Sequence, residues 1–360
     1  MHFDFADLLL EVLQRKASDL HITAGSHPMV RVRGRLVKLE DYPVLTPTDT
    51  REVIYSILTN DQRQRLETDW QLDFAYAIPN VARFRVNAYM QRSAISAAFR
   101  LIPFDIKSID ELGLPAVCHD FVHKPRGLVL VTGPTGSGKS TSLAAIIDSI
   151  NRTREDHILT IEDPIEFLHP HKKCIVNQRE LGSDAQSFAA ALKAALRQDP
   201  DVILVGEMRD EETVRAALSA AETGHFVMST LHTTDAQETV NRIVDFFPPH
   251  EQQQVRVALA GALRGIVAQR LVRRADGLGR CCVAEVCVAT GRIGEAIIDP
   301  AKTNTITELV SQGAYYGMQT FDQHLVALVR DGVVTVEDAA AVASKPHDLS
   351  VELRRLGLVA

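Results

Sequence analysis

Apolar residues recur at helical spacing through Phe5, Leu8, Leu9, Val12 and Leu13, which predicts an amphipathic helix over residues 4–17. Short segments with the two-residue period of strands follow: Asp19 to Thr23, Met29 to Val32 and, past the turn at Gly34, Arg35 to Leu39. Two helical stretches are expected near 47–59 and 60–67, then strands through 70–78, 82–91 and 94–102. This mixture predicts a small α+β domain over residues 1–103. The polar stretch that follows Pro103 reads as a linker over 104–118.

From Gly127 the pattern changes to an alternation. Strands at 128–132, 157–162, 201–206 and 226–231 are expected between helices at 140–151, 187–197, 210–223 and 235–246. Near-continuous apolar runs such as Leu128–Val131 and Val202–Val205 suit a parallel sheet covered on both faces. Beyond Pro248-Pro249 the chain reads as mainly helical, with a strand pair near 266–273 and 281–288. The second domain, 119–360, is therefore expected to be α/β.

Composition narrows the function class. An apolar share of 46% with 24% charged residues is that of an ordinary globular chain. With 39 Lys and Arg against 46 Asp and Glu, the net charge of −7 argues against a nucleic-acid binder. No apolar run approaches the eighteen or so residues of a membrane span, and the first residues carry no basic stretch of a secretory signal. Five cysteines are an odd number in a long chain, which argues against a disulfide framework. A cytoplasmic protein is expected.

The clearest chemistry lies in Gly133-Pro134-Thr135-Gly136-Ser137-Gly138-Lys139-Ser140-Thr141, the pattern GxxxxGK[ST] between an expected strand and an expected helix. Glycines there let successive N–H groups turn toward one anion, and the helix start adds its positive end. Lys139 is placed to reach β- and γ-phosphates of ATP, and Ser140 to ligate Mg²⁺.

Hydrolysis also needs carboxylates, and two acidic clusters follow expected strands, at the edge where α/β sheets bind ligands. One is Thr160-Ile-Glu162-Asp163-Pro-Ile-Glu166, the other Gly206-Glu207-Met-Arg209-Asp210. Glu207 is the better candidate to polarise water, because four apolar residues carry it to the sheet edge. It could also be simply an acid at a helix start. Glu162 is a candidate second acid and metal ligand, and Glu166 a further acid, although an acid after an Asp-Pro turn is common. His232 follows strand 226–231 beside the same edge, with Thr234 and Asp235 as helix caps.

Between Arg83 and Arg100 there are four arginines and no acid. Arg83 and Arg85 share a strand face and suit convergence on a polyanion. A solvated strand face and a nucleic-acid strip are the other readings of this segment.

Together these segments resemble the type II/type IV secretion ATPase superfamily. Four boxes match in order: GPTGSGKST (133–141), TIEDPIE (160–166), DVILVGEMRD (201–210) and TGHFVMSTLHT (223–233). Within the superfamily the chain is most similar to PilT-type pilus retraction ATPases, over nearly its whole length. The resemblance implies a PAS-like N-terminal domain and a RecA-like C-terminal domain. It implies Glu207 as catalytic glutamate and His225 and His232 as the box histidines, with His225 near the nucleotide. It also implies Arg83, Arg85 or Arg100 acting across a subunit boundary.

The implied assembly is a homo-hexamer at the inner face of the cytoplasmic membrane. Its partners would be an inner-membrane pilus platform protein and a possible paralogous pilus ATPase. One segment departs. Where retraction members read AIRNLIRE, this chain has Arg292-Ile-Gly-Glu295-Ala-Ile-Ile-Asp299, whose Arg292, Glu295 and Asp299 would share a helix face. Retraction is expected. Assembly, secretion or an accessory duty remains the alternative, and a RecA-like nucleic-acid motor is a more distant one.

Overall fold

The computed structural model describes residues 4–78, 81–102 and 105–359. It divides into two compact units, Met1–Asp105 with Glu166–Leu168, and Ile106–Ile165 with His169–Ala360. Pro103 and residue 104, where the linker was expected to begin, lie outside the described residues.

The first unit runs α1 (Phe5–Gln14), β1 (Asp19–Ile22), β2 (Met29–Val32), β3 (Arg35–Lys38), α2 (Pro47–Ser56), α3 (Asn60–Asp69), β4 (Gln71–Ile78), β5 (Ala82–Gln91) and β6 (Ala94–Ile102). Asp4 caps α1, and Thr46 and Thr59 open α2 and α3 with capping boxes, so each helix start is set locally. The sheet is antiparallel with order β3-β2-β1-β6-β5-β4. One register row, Val30–Leu20–Phe99–Val86–Phe74, is buried and joins the helices' core. The adjacent row, Arg31–Asp19–Arg100–Arg85–Ala75, must therefore face the other way.

The second unit begins with α4 (Val117–Val122), β7 (Gly127–Thr132), α5 (Lys139–Thr153), β8 (His157–Glu162), β9 (Ile175–Glu180), α6 (Phe188–Ala195) and β10 (Val202–Val205). It continues with α7 (Glu211–Glu222), β11 (Phe226–Leu231), α8 (Ala236–Asp245), α9 (Gln252–Ala262), β12 (Leu263–Arg273) and β13 (Arg280–Val288). It ends in α10 (Gly291–Ile298), α11 (Ile306–Ser311), α12 (Phe321–Arg330), α13 (Val336–Val342) and α14 (Pro346–Arg355).

The sheet order is β13-β12-β7-β11-β10-β8-β9, parallel except for the β12–β13 pair. Strand residues alternate between two cores: Leu128, Leu130, Ile203 and Val205 enter one, and Val129, Val131, Val202 and Leu204 the other. A third cluster packs α12, α13 and α14 on β12 and β13 through Ala268, Val272, Val283, Phe321 and Leu325.

Two expectations need correction. Within the stretch read as a linker, Ile109, Leu114, Val117 and Cys118 are buried in the core of the second unit, and α4 begins there. The edge strand β9 was not expected, because Asn177-Gln178-Arg179-Glu180 breaks the apolar pattern; its backbone pairs with β8 regardless.

Candidate active site

Strands β7, β11, β10 and β8 are neighbours and run in the same direction, so the segments leaving their C-terminal ends share one edge. Those segments carry the glycine loop, His232, Glu207 and Glu162. The loop holds positive φ at Gly133 (142°), Gly136 (79°) and Gly138 (93°). A Cβ on Gly133 would stand 2.5 Å from the Gln269 carbonyl oxygen and 2.6 Å from Ser137 Oγ, so the bend has no room for a side chain. Gly138 is the N-cap of α5 and offers no side-chain cap, which leaves the first N–H groups of the helix for a ligand.

The residues of this loop fit a bound phosphate chain. The Ser137 hydroxyl is buried without a partner, as is that of Thr132 just before the loop. Lys139 Nζ donates to the Gly133 and Pro134 carbonyls at 2.7 and 3.1 Å, inside the loop's own curve. Ser140 and Thr141 are half-buried on the first turn of α5. Behind them Gln269 of β12 and Ser142 of α5 exchange buried hydrogen bonds of 2.7 and 3.2 Å, tying that helix to the sheet. Thr135, Gly136 and Ser137 line one side of a cavity of about 380 Å³ closed by Arg270, Leu271, Arg280 and Ala341–Ala343.

Glu207 leaves β10 at a fixed place. The Gly206 N–H donates to the Ile161 oxygen (2.8 Å), Thr230 Oγ1 donates to the Gly206 oxygen (2.7 Å), and the Met208 N–H donates to the Thr230 oxygen (3.1 Å). Glu207 is thus held between two residues bonded to β11. Its carboxylate, 18% exposed, meets Arg209 Nη2 at 2.7 Å and His232 Nε2 at 3.3 Å. All three line a cavity of about 320 Å³ with Thr233, Glu238, Arg242 and Phe246. The sequence reading missed Arg209 as a partner, although it lies only two residues from Glu207.

Glu162 ends β8, with its Oε1 accepting from Thr160 Oγ1 (2.6 Å) and Gln178 Nε2 (3.1 Å). Three strand intervals, about 14 Å, separate β8 from β7. Among the described residues no group of three or more His, Cys, Asp or Glu could hold a metal. Glu166 is exposed and groups with the first unit.

His225 also needs correction. It precedes β11, in register with Gly127 at the start of β7, whereas the glycine loop follows the end of β7. A six-residue strand spans about 20 Å, so His225 cannot touch the nucleotide of its own chain. Its Nδ1 lies 3.0 Å from the Ala220 oxygen. The signal was present: in a parallel sheet, residues before and after a strand lie at opposite edges.

In the first unit, Arg85 and Arg100 are direct register partners, and Arg83 lies two residues along the same face. Arg100 Nε donates to Asp19 Oδ1 at 2.9 Å, and Arg31 stands 3.9 Å from the other oxygen. Burial works to raise the Asp19 carboxyl, but hydrogen bonds from Ser18 and Arg100 outweigh it and hold it below the usual carboxylate range. Arg85 and Arg100 are exposed and Arg83 half-buried. Arg31, on the same face, was not singled out in the sequence.

A parallel sheet with a glycine cradle, a helix start behind it, and a carboxylate and imidazole beside it defines the RecA-like class of P-loop ATPases. The family model described as "Type II/IV secretion system protein" matches residues 4–278, and the chain belongs to this family. The chain is 46% identical to the type IV pilus retraction ATPase PilT of Pseudomonas aeruginosa, over 96% of this chain and 99% of that one. It is also 46% identical to the twitching motility protein of Neisseria gonorrhoeae, over 90% of this chain and 86% of that one. Its structure resembles the crystal structure of the pilus retraction motor PilT with bound ADP, with TM-score 0.90 and 46% identity over 97% and 100% of the two chains.

Proposed function

We propose that this chain is a Mg²⁺-dependent ATPase motor, assembled as a homo-hexamer, that powers type IV pilus retraction. The observation that carries this reading is a single sheet edge holding the Gly133–Thr141 cradle, Glu207 and His232, in a chain alike end to end to a retraction ATPase. The loop N–H groups and α5 bind the phosphates, and Lys139 exchanges its two carbonyl partners for phosphate oxygens. Ser140 is the residue that would hold Mg²⁺, which neutralises charge between the β- and γ-phosphates when bound. Glu207 accepts a proton from the attacking water. His232 and Arg209 hold the Glu207 carboxylate in place.

The cavity beside Thr135–Ser137 receives the nucleoside end. Its walls mix Leu271 and Val342 with two arginines, which suits a flat heterocycle on a charged tail. Arg85, with Arg83 and Arg100 on the same face, serves a neighbouring subunit's phosphates. Arg85 is the best placed of the three, since Arg100 is already engaged by Asp19. The motor works in the cytoplasm against an inner-membrane platform protein.

A second reading, an assembly or accessory duty, draws on one segment. Helix α10 buries Ile293, Ala296 and Ile297, so the apolar spacing of the retraction-type helix is kept, while its exposed residues Arg292 and Glu295 differ from that pattern. Deleting the gene separates the two. Retraction predicts abundant surface fibres without twitching, and assembly predicts a bald surface.

A further inference from the structure

Glu285 is a buried acid that the proposed hydrolysis does not use. It sits on β13 at 5% exposure, paired in register with Ala268 of β12. Its Oε1 accepts from the Ala236 N–H at 2.8 Å. Ala236 is the first residue of α8, so the bond holds one of the helix's unpaired N–H groups. The four residues immediately before it are His232-Thr233-Thr234-Asp235.

Three residues of that short stretch, Thr233, Thr234 and Asp235, are fastened to α8. Thr233 Oγ1 is 2.7 Å from Thr239 Oγ1, the Thr234 N–H donates to Glu238 (2.7 Å), and the Glu238 N–H donates to Asp235 (2.8 Å). Loop and helix start therefore move as one body, and at its other end His232 lies 3.3 Å from Glu207. Glu285 is the acceptor that ties this body to the β12–β13 pair.

We infer that Glu285 is a positioning residue for hydrolysis: through the Ala236 N–H it fixes the start of α8, and with it the loop that sets His232 against Glu207. This rests on the ATPase reading above. The charged and titratable groups around Glu285 are Asp235 at the start of α8, Arg270 on β12, Asp322 on α12 and Cys287 on its own strand. Burial pushes the carboxyl up to about 7, Asp235 and Asp322 push the same way, and the Ala236 N–H and Arg270 oppose them. The anchor therefore changes charge near neutral pH.

The test uses full-length protein with Glu285→Ala and Glu285→Gln. The glutamine keeps an oxygen acceptor but cannot ionise. In Glu285→Ala, kcat should fall about tenfold or more, the scale of one lost charge-assisted hydrogen bond, while ADP affinity stays within about twofold of wild type. Without nucleotide, amide exchange by mass spectrometry should speed by a similar factor in a peptide over 232–239 and not in one over the start of α5. Wild-type kcat should decline through pH 7 toward acid, and the Glu285→Gln profile should be flat there.

Unchanged kcat and unchanged exchange in Glu285→Ala would overturn the inference. So would faster exchange throughout the unit with affinity and kcat lost together, which marks a structural role alone. If Glu285→Ala does not fold, an unaltered pH profile in Glu285→Gln overturns it. A wild-type protein that hydrolyses no ATP refutes the ATPase reading instead, and the nucleotide-free exchange still tests the anchor.

Discussion

Replacing Glu285 by Gln should make the protein more stable at alkaline pH and slightly less stable, by about 1 kcal/mol, at acid pH. Below pH 4.5, the usual value for a glutamic acid, the carboxyl is protonated in folded and unfolded chains alike, and burial carries no charge penalty. Between 4.5 and about 7 the unfolded chain ionises while the folded one keeps its proton. The unfolded state then binds fewer protons, so stability falls by about 1.4 kcal/mol per pH unit. By pH 8 both forms are ionised, and the accumulated penalty is about 3 kcal/mol. Glutamine removes that penalty but adds an amide NH₂ whose partner is not provided, at a cost of about 1 kcal/mol.

The net gain of about 2 kcal/mol at pH 8 corresponds to a melting point higher by roughly 4–8 °C for a unit of this size. Melting curves of both proteins at one concentration, from pH 5 to 8, should diverge steadily up to about pH 7 and then run parallel. An offset that does not change with pH would show that Glu285 does not titrate in this window. A lower melting point for the variant at pH 8 would show that the carboxylate stabilises the fold, and the reasoning would be wrong. The expected trade is between stability and function, because the same carboxylate holds the catalytic loop.

Four further outcomes are expected. Lys139→Ala should lose ADP and ATP binding in equilibrium titrations, since Lys139 is the side-chain cation that the loop places on the phosphates. Glu207→Gln should bind ATP normally and hydrolyse it 10²–10⁴-fold more slowly, the usual worth of a general base. Near-normal turnover would move that role to Glu162. Mixing inactive Arg85→Ala with inactive Lys139→Ala subunits should recover part of the ATPase activity, because an arginine supplied in trans is worth about 10³–10⁵ in rate. Reversing the charges of Arg292 and Glu295 together should spare ATPase activity and ring formation but stop fibre disassembly. Asp299, expected on the same helix face, instead ends α10 with extended backbone and lies 3.8 Å from Lys302, so it belongs to the following turn.

The local parts of this protein were determined by local sequence. Three glycines at fixed spacing force the cradle, because only glycine tolerates φ of 142°, 79° and 93° where Ser137 and the Gln269 backbone press close. Unbroken apolar runs in β7, β10 and β11 specified strands covered on both faces, and capping residues set the helix starts in register with the sequence. Even the placement of Glu207 at a sheet edge followed from four apolar residues before it. Strand order was not written locally. It brings β10 beside β11, and so places Glu207 against His232, and it puts β8, which ends in Glu162, three strands from β7. Strand direction sends His225 to the far edge. Nothing in the residues around Glu285 marks it out, since its partner Ala236 is a small apolar residue offering only backbone, forty-nine positions away along the chain. A residue's own neighbours decide how the backbone bends, but which distant side chain comes to meet it depends on how strands pair, and pairing is settled by burial summed over the whole sheet.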